Sequence, residues 1–486
     1  MPLPPHKTKL VATIGPASNS PEVLEALIRA GLNVARLNFS HGDRATHAEN
    51  IARLRAAAEA VGRPVTLMAD LPGPKMRIGR IEPDPLELTA GREFTLRVGD
   101  AAGGPEGASV TFEPLPRVVR PGDALFLNDG LVQLEAVAIE DDAVRCRVVV
   151  GGELRSRKGL NLPGLDPGIG AFTPEDHALL KFALEQGVEA VSQSFVATAA
   201  DVRAVRRAAR DLGGDPFIIA KIERASALTN LREIITAADG IMIARGDLGV
   251  EVPIERIAVL QKQITAAAVR AGKPVITATQ MLESMTHSRQ PTRAEATDVA
   301  NAILDGTDAV MLSAESAIGD YPVESVATLA RIAAATEPHR PPPTGSLVSP
   351  AATAPGAVAR DLLSLSVETV LARAKRAAAV VVPTRSGATA RSLARFRLPV
   401  WIAAFSPDPA ACAGLRFSYG VEPVQCPEPP AGWDALAREW IRKNGLTGHL
   451  ALLVQGPSAC HPERNHSLEL LDLDALVSPA ESDGFG

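Results

Sequence analysis

The chain has 486 residues, 46% of them hydrophobic, which is enough to bury large cores and implies roughly two to four domains. A net charge of −6 with no basic block excludes nucleic acid as the principal partner. The amino terminus, MPLPPHKTKL, lacks the apolar core of a signal peptide and no apolar run is long enough for a membrane span, so a soluble cytoplasmic protein is expected. Cys146, Cys412, Cys426 and Cys460 form no CxxC pair, which argues against both a zinc site and a disulfide framework.

From Leu10 the sequence alternates apolar β-rich runs with helical patterns: LVATIG then PEVLEALIRAG, VARLNFS then an alanine-rich helix to about Val61, and VTLMADL. The rhythm then stops. From about Gly73 to Gly170 come short β-like runs such as EFTLRVG and AVRCRVVV separated by Gly, Pro and Asp turns, which read as an inserted all-β module expected to form a small β-barrel lid. The alternation resumes with TPEDHALLKFALEQG and the strands AVSQSF, FIIAKIE, GIMIARG, PVITATQM and AVMLSAES. Eight β/α units over roughly 240 residues predict a TIM barrel, the alternative being a doubly wound open sheet, which no GxGxxG after the first strand favours. Near His339 the composition shifts to RPPPTGSLVSPAATAPG, a linker, and a small α/β domain with a polar, frayed tail is expected beyond it. The expected division is 1–72 with 171–338 as the barrel, 73–170 as the lid, 339–355 as linker and 356–486 as the carboxyl-terminal domain.

The stretch from Phe217 to Val250 reads as strand, helix, strand, so Lys221 and Glu223 share one strand face while Arg245 and Asp247 end the next strand at the same sheet edge. Glu223 and Asp247 suit a divalent oxygen-seeking ion, with Lys221 left for an anionic substrate group; a structural salt bridge is the plainer reading of any one such pair. Other strand ends supply the same kind of residue: Arg36, Asn38 and Ser40 on the second strand, Asp70 on the third, Thr279 on the seventh, Ser313 and Glu315 on the eighth. The lid leaves from this rim and is placed to close over it. In the carboxyl-terminal domain Thr384, Ser386, Gly387 and Thr389 lie between a strand and a helix start, where hydroxyls and N–H groups suit a phosphate, although any βα turn needs similar residues.

The stretches TKLVATIGPAS, NVARLNFSHGD, KGLNLPG, DGIMIARGDLGVE, KPVITATQMLESM and PTRAEATDVANAILDGTDAVMLSAES, in this order, resemble the pyruvate kinase family from residue 8 to about 330. The resemblance implies transfer of the phosphoryl group of phosphoenolpyruvate to ADP, giving pyruvate and ATP, in a homotetramer. It implies Mg²⁺, or Mn²⁺ in its place, on Glu223 and Asp247, with Lys221 neutralising the phosphoryl group in transit and Arg36 holding the phosphate. Gly246, Asp247 and Thr279 match positions for the substrate carboxylate, and Ser313 a catalytic position, with support for the eighth strand as the alternative reading of that serine. Arg77, Lys158 and His41 match nucleotide-phosphate positions. The family's DTKGPEIR block reads here from Asp70 to Arg77 with Lys75 in place of a glutamate and Leu71 in place of a threonine. Since Asn38, Ser40, Asp70 and Leu71 match the K⁺ site of K⁺-requiring members, the lysine implies an enzyme that does not require K⁺. The family's glycine-threonine-threonine-asparagine motif is replaced around HPERNHSLELLDL, so a phosphorylated effector other than fructose 1,6-bisphosphate is expected at the Thr384–Thr389 loop. Two further classes are weighed: another phosphoenolpyruvate- or pyruvate-handling barrel, such as a mutase or lyase, which would lack the lid and the Arg77 and Lys158 positions, and a silent sensor, which would have lost Lys221, Glu223 or Asp247.

Overall fold

The computed structural model describes residues 2–74, 76–128, 130–165, 168–341, 357–374, 376–428, 430, 432–456 and 465–474. Lys75, Cys460, most of the expected linker and the polar tail lie outside them.

Eight parallel strands close into a barrel: Lys9–Thr13, Leu32–Asn38, Thr66–Leu71, Ala190–Gln193, Phe217–Ile222, Gly240–Ala244, Val275–Ala278 and Ala309–Leu312. The ring shuts where Lys9 pairs with Ala309 and Leu312 with Ala12. These strands are nearly continuous apolar runs because both faces are covered. One face packs on the helices outside, and the other fills the barrel with Val11, Val34, Met68, Ile219, Met242, Ile276 and Met311. The doubly wound alternative is thereby replaced by a closed ring.

Local chemistry sets the helix ends. Helix Pro21–Ala30 begins with the Ser20 hydroxyl accepting from the Val23 N–H and with proline in its first turn, and stops at Gly31, whose φ of 116° is in the left-handed region. Helix Pro174–Glu185 opens on a capping box between Thr173 and Asp176. Fully buried Asp176 also accepts from the Gly73 N–H at 3.0 Å, so a single carboxylate pins the point where the lid leaves the barrel to the helix that follows its return. Gly73 has φ 65°, and a Cβ there would meet the Phe195 ring and the Ser194 carbonyl, each at 3.1 Å. Only glycine fits that exit.

The inserted module contains a six-stranded sheet, in the order Leu160–Asn161, Ala124–Leu127, Val132–Ile139, Ala143–Val150, Glu93–Val98, Gly107–Val110, and a two-stranded sheet of Leu86–Leu88 with Gly152–Leu154. These ladders surround their own apolar core, which includes Phe94, Leu125, Leu134 and Cys146, and residues 76–79 join the two edges of the six-stranded sheet, bonding to Lys158 and Leu160 on one side and to Ser109 and Thr111 on the other. The carboxyl-terminal domain is a five-stranded sheet in the order Val421–Gln425, Trp401–Ser406, Ala377–Pro383, Leu450–Gln455, Ser467–Asp472, parallel except for the last strand. It docks on the amino-terminal ends of the barrel strands, the floor. There Phe417 is fully buried among the residues that fill the barrel and stacks on Phe217 with ring centres 5.2 Å apart.

Candidate active site

At the opposite end, the mouth, the charged residues of several strands meet. Arg36 donates through Nε and Nη2 to Asp70 Oδ2 at 2.9 and 2.5 Å, and through Nη1 to the Thr13 hydroxyl at 2.9 Å. Ser192 donates to the other Asp70 oxygen at 2.6 Å. Lys221 Nζ lies 2.8 Å from Glu223 Oε1 and 3.4 Å from Asp70 Oδ2, and donates to the Ser194 hydroxyl at 2.7 Å. Burial by itself would lower the Lys221 pKa and raise that of Asp70, yet each is shifted the other way: Asp70 and Glu223 hold the ammonium charged, and Lys221 and Arg36 hold the carboxylate ionised. Two fixed cations are thus aimed into one water-poor corner.

Glu223, 1% exposed, accepts from the Phe195 N–H at 2.7 Å, and Phe195 has a left-handed φ of 57° to present it. Burial raises the Glu223 carboxyl above the ordinary range despite Lys221, and the charge of Asp247 adds to the rise. Asp247 does not end the sixth strand as expected: the strand stops at Ala244, and Arg245 and Asp247 lie in the short helix Arg245–Glu251. Among the described residues no group of three or more His, Cys, Asp or Glu side chains gathers as a metal cage. A pair of carboxylates with mutual repulsion to relieve fits Mg²⁺, which keeps waters and takes substrate oxygens for the rest of its shell.

Thr279 likewise falls just past its strand, at φ 66° with Gln280 at φ 54°. Its hydroxyl accepts from the Gly246 N–H at 2.8 Å and donates to the Ala278 carbonyl at 2.7 Å. Arg245 holds that turn, donating to the Thr279 carbonyl at 2.8 Å while paired with Asp298 at 2.6 Å, so it shapes the site rather than facing it. Ser313 and Glu315 lie beyond the eighth strand, which ends at Leu312. Glu315 is fully buried and accepts from the N–H groups of Ser313 and Leu282 at 2.7 and 3.1 Å, stitching the last two strand ends together.

His41, Arg77 and Ser40 line a cleft of about 1010 Å³ between the mouth and the lid. Lys158 is not among its lining residues; it stands beside them, its carbonyl accepting from the Ile78 N–H at 2.9 Å where Arg77 bridges to Gly159. Asn38 and Asp70 occupy paired positions on adjacent strands, and Leu71 is fully buried in the outer core. Ser40 follows Asn38, whose side chain accepts from its N–H at 3.2 Å. In the carboxyl-terminal loop the Thr384 hydroxyl already accepts from the Gly387 N–H at 3.0 Å, and the Ser386 carbonyl from Arg391 at 2.8 Å.

Ser192 and Ser194, which touch Asp70 and Lys221, were missed in the sequence reading although both lie in the run AVSQSF. Polar residues at alternate positions of an otherwise apolar strand were the available signal. Arg224 and Glu251 were missed as well. Arg224 donates to the Leu165 carbonyl at 3.1 Å, and burial raises the Glu251 carboxyl while the Gly164 and Ala225 N–H groups stabilise its ionised form, so both hold the returning end of the lid.

Comparison with known proteins accords with this arrangement. Residues 5–326 match the family model described as pyruvate kinase, barrel domain, and residues 364–456 the one described as pyruvate kinase, alpha/beta domain. The chain is 46% identical over 436 residues to a pyruvate kinase of Thermococcus litoralis, covering 87% of this chain and 89% of that one. It is 41% identical over 457 residues to the pyruvate kinase of Geobacillus stearothermophilus, covering 92% of this chain and 77% of that one. A crystal structure of a pyruvate kinase from Cryptosporidium parvum superposes with a TM-score of 0.85 at 32% identity, over 96% of each chain. With a closed barrel, a sheet module inserted after its third strand and an α/β domain on its floor, this chain belongs to the pyruvate kinase family of phosphotransferases.

Proposed function

We propose that the barrel mouth transfers the phosphoryl group of phosphoenolpyruvate to ADP with Mg²⁺, or Mn²⁺ in its place, and without a requirement for K⁺. The observation that carries the reading is the connected set Arg36, Asp70, Lys221 and Glu223, in which two buried cations are paired with carboxylates behind them. Phosphoryl transfer needs positioning and charge neutralisation rather than a protein nucleophile, and such a set supplies both. Arg36 binds the phosphate, Lys221 meets the charge that develops as the phosphoryl group moves, and Thr279 with the N–H groups of Gly246 and Asp247 takes the carboxylate. Release of the Gly246 N–H from the Thr279 hydroxyl accompanies binding. Glu223 and Asp247 would hold the divalent ion, which would supply positive charge to the phosphoryl group and the forming enolate. Arg77, Lys158 and His41 receive the nucleotide phosphates, and Ser313 supports the eighth strand end.

The division at 1–72, 73–170, 171–338 and 356–486, the phosphate-binding role of Thr384, Ser386, Gly387 and Thr389, the homotetramer and a cytoplasmic location belong to the same proposal. No described helix is long and apolar enough to cross a membrane, which is compatible with that location. K⁺ independence rests on the lysine at position 75 and the leucine at 71. The test is turnover of phosphoenolpyruvate and ADP with saturating Mg²⁺ in a tetramethylammonium salt, with K⁺ then added at constant ionic strength. We expect full activity from the outset and little change. No turnover at all would sink the activity, whereas a rise of about tenfold, the size of a 1.4 kcal/mol stabilisation, would sink only the K⁺ claim.

A further inference from the structure

A second cluster of cations lies at the other end of the barrel. Between the floor and the carboxyl-terminal domain is a cavity of about 280 Å³, walled by Lys273 and Asp239 of the barrel and by Arg360, Arg391 and Arg395 of the docked domain, with Phe217 as the one aromatic among its described lining residues. Its two carboxylates are already engaged. Asp239 pairs with Arg206 at 2.8 Å and accepts from the Ile218 N–H at 2.9 Å, and the other, Asp361, pairs with buried Arg395 at 2.5 Å. Among the described residues Lys273, Arg360 and Arg391 form no ion pair; Lys273 donates to the Ala238 carbonyl at 2.5 Å and Arg391 to the Ser386 carbonyl at 2.8 Å. Burial depresses the pKa of Lys273 and of Arg391 even though Asp239 opposes it, and Arg391 further lowers Lys273 while Arg360 further lowers Arg391. Half-buried cations that repel one another and lack carboxylates of their own leave a charge deficit that a multivalent anion would fill.

We propose that this cavity is a binding site for a phosphomonoester, its phosphate held by Lys273, Arg360 and Arg391 across the domain interface and its organic group against Phe217. The volume, at the low end for ligand pockets, suits a phosphate bearing a single small ring. The site differs from the Thr384–Thr389 loop: its phosphate ligands come from both domains, and only Ala388 of the loop region reaches its wall. It does not depend on the phosphotransfer reading. It is nonetheless joined to the mouth, because Asp239 and Lys273 stand just before the strands Gly240–Ala244 and Val275–Ala278, whose far ends lead into Gly246, Asp247 and Thr279.

The test is isothermal titration of the full chain with ribose 5-phosphate, ribose and inorganic phosphate. Binding at the mouth, which accepts phosphate too, is told apart by its indifference to changes at Lys273 and Arg360. The background is Ser386→Glu with Thr389→Glu, which blocks the loop. We expect saturable binding of ribose 5-phosphate that is tighter than that of inorganic phosphate, and none of ribose. Adding Lys273→Gln with Arg360→Gln should weaken it at least ~10-fold, the loss of about 1.4 kcal/mol expected when charged hydrogen bonds to a phosphate are removed. Lys273→Arg, which keeps the charge, should retain most of it. No saturable binding in the loop-blocked protein, equal affinity for inorganic phosphate and the ester, or a dissociation constant unchanged by Lys273→Gln with Arg360→Gln would each overturn the proposal.

Discussion

The two ends of the barrel bury charge in opposite ways. At the mouth each charge is met by another side-chain charge, so that Arg36, Asp70, Lys221 and Glu223 form one network with a face left towards the cleft. At the floor, charges are closed off by backbone groups and by the neighbouring domain. Lys9, fully buried, donates to the Val421 carbonyl at 2.6 Å with its ammonium 5.1 Å from the centre of the Trp401 ring, and burial brings its pKa down to about 8. Asp308 receives Arg397 at 2.6 and 2.8 Å together with the N–H groups of Val275 and Tyr419. The difference is that the mouth retains electrostatic capacity for a ligand, whereas the floor, outside the cavity at Lys273, uses its charges to hold domains together.

That contrast is open to experiment, and the largest effect should come from the mouth. Lys221→Ala should lower kcat by at least ~10³, about the value of a cation that acts in a phosphoryl-transfer transition state, with a much smaller change in phosphoenolpyruvate binding. Steady-state kinetics on the folded variant checks this, and retention of a tenth of the parent kcat would remove Lys221 from its central role. Arg397→Met at the floor should do the reverse. Stranding Asp308 without its guanidinium should cost about 3 kcal/mol of stability, read as a fall in Tm or in the denaturant midpoint, while kcat stays within about twofold. A loss of turnover with unchanged stability would erase the distinction between the two ends.

The effect with the narrowest window depends on pH. His6 is buried at the floor, where its Nδ1–H donates to the Thr8 carbonyl at 2.9 Å and its Nε2 has no partner among the described residues. Burial pulls its pKa from 6.5 to about 4, Glu337 opposing while Lys9 and Arg63 assist. The native state therefore prefers neutral imidazole, and an unfolded chain binds the proton first. The stability that this contributes is complete above pH 6.5 and drains away as pH falls towards about 4, by up to ~3 kcal/mol. His6→Gln should flatten the Tm–pH curve in that window, and a curve as steep as the parent's would show that another group is responsible.

Much of this was legible in the chain because parallel barrel strands are covered on both faces and so read as unbroken apolar runs, against which Lys221, Glu223, Arg36 and Asp70 stand out. Exact strand ends were less legible. Arg245, Asp247, Thr279, Ser313 and Glu315 follow on from apolar runs without a break in pattern, yet the chain turns into a short helix or a left-handed turn before reaching them. What could not be read was any role created by the approach of distant strands. Ser192 matters because strand pairing sets it opposite Asp70, and Arg245 because its guanidinium reaches Asp298, 53 positions along.

Phe417 lies in the sequence LRFSYG, where nothing distinguishes it from any other residue between a helix and a strand, and in the fold it completes the filling of a barrel whose last strand ends at Leu312. During synthesis all eight strands thus leave the ribosome before the residue that closes their floor has been made. At the usual elongation rates of ~5–20 residues per second, the interval between them lasts from about five to twenty seconds. For that time the nascent barrel has Val11, Met68, Ile219 and Met311 beneath an unfilled opening, and its final consolidation waits for the domain that follows it.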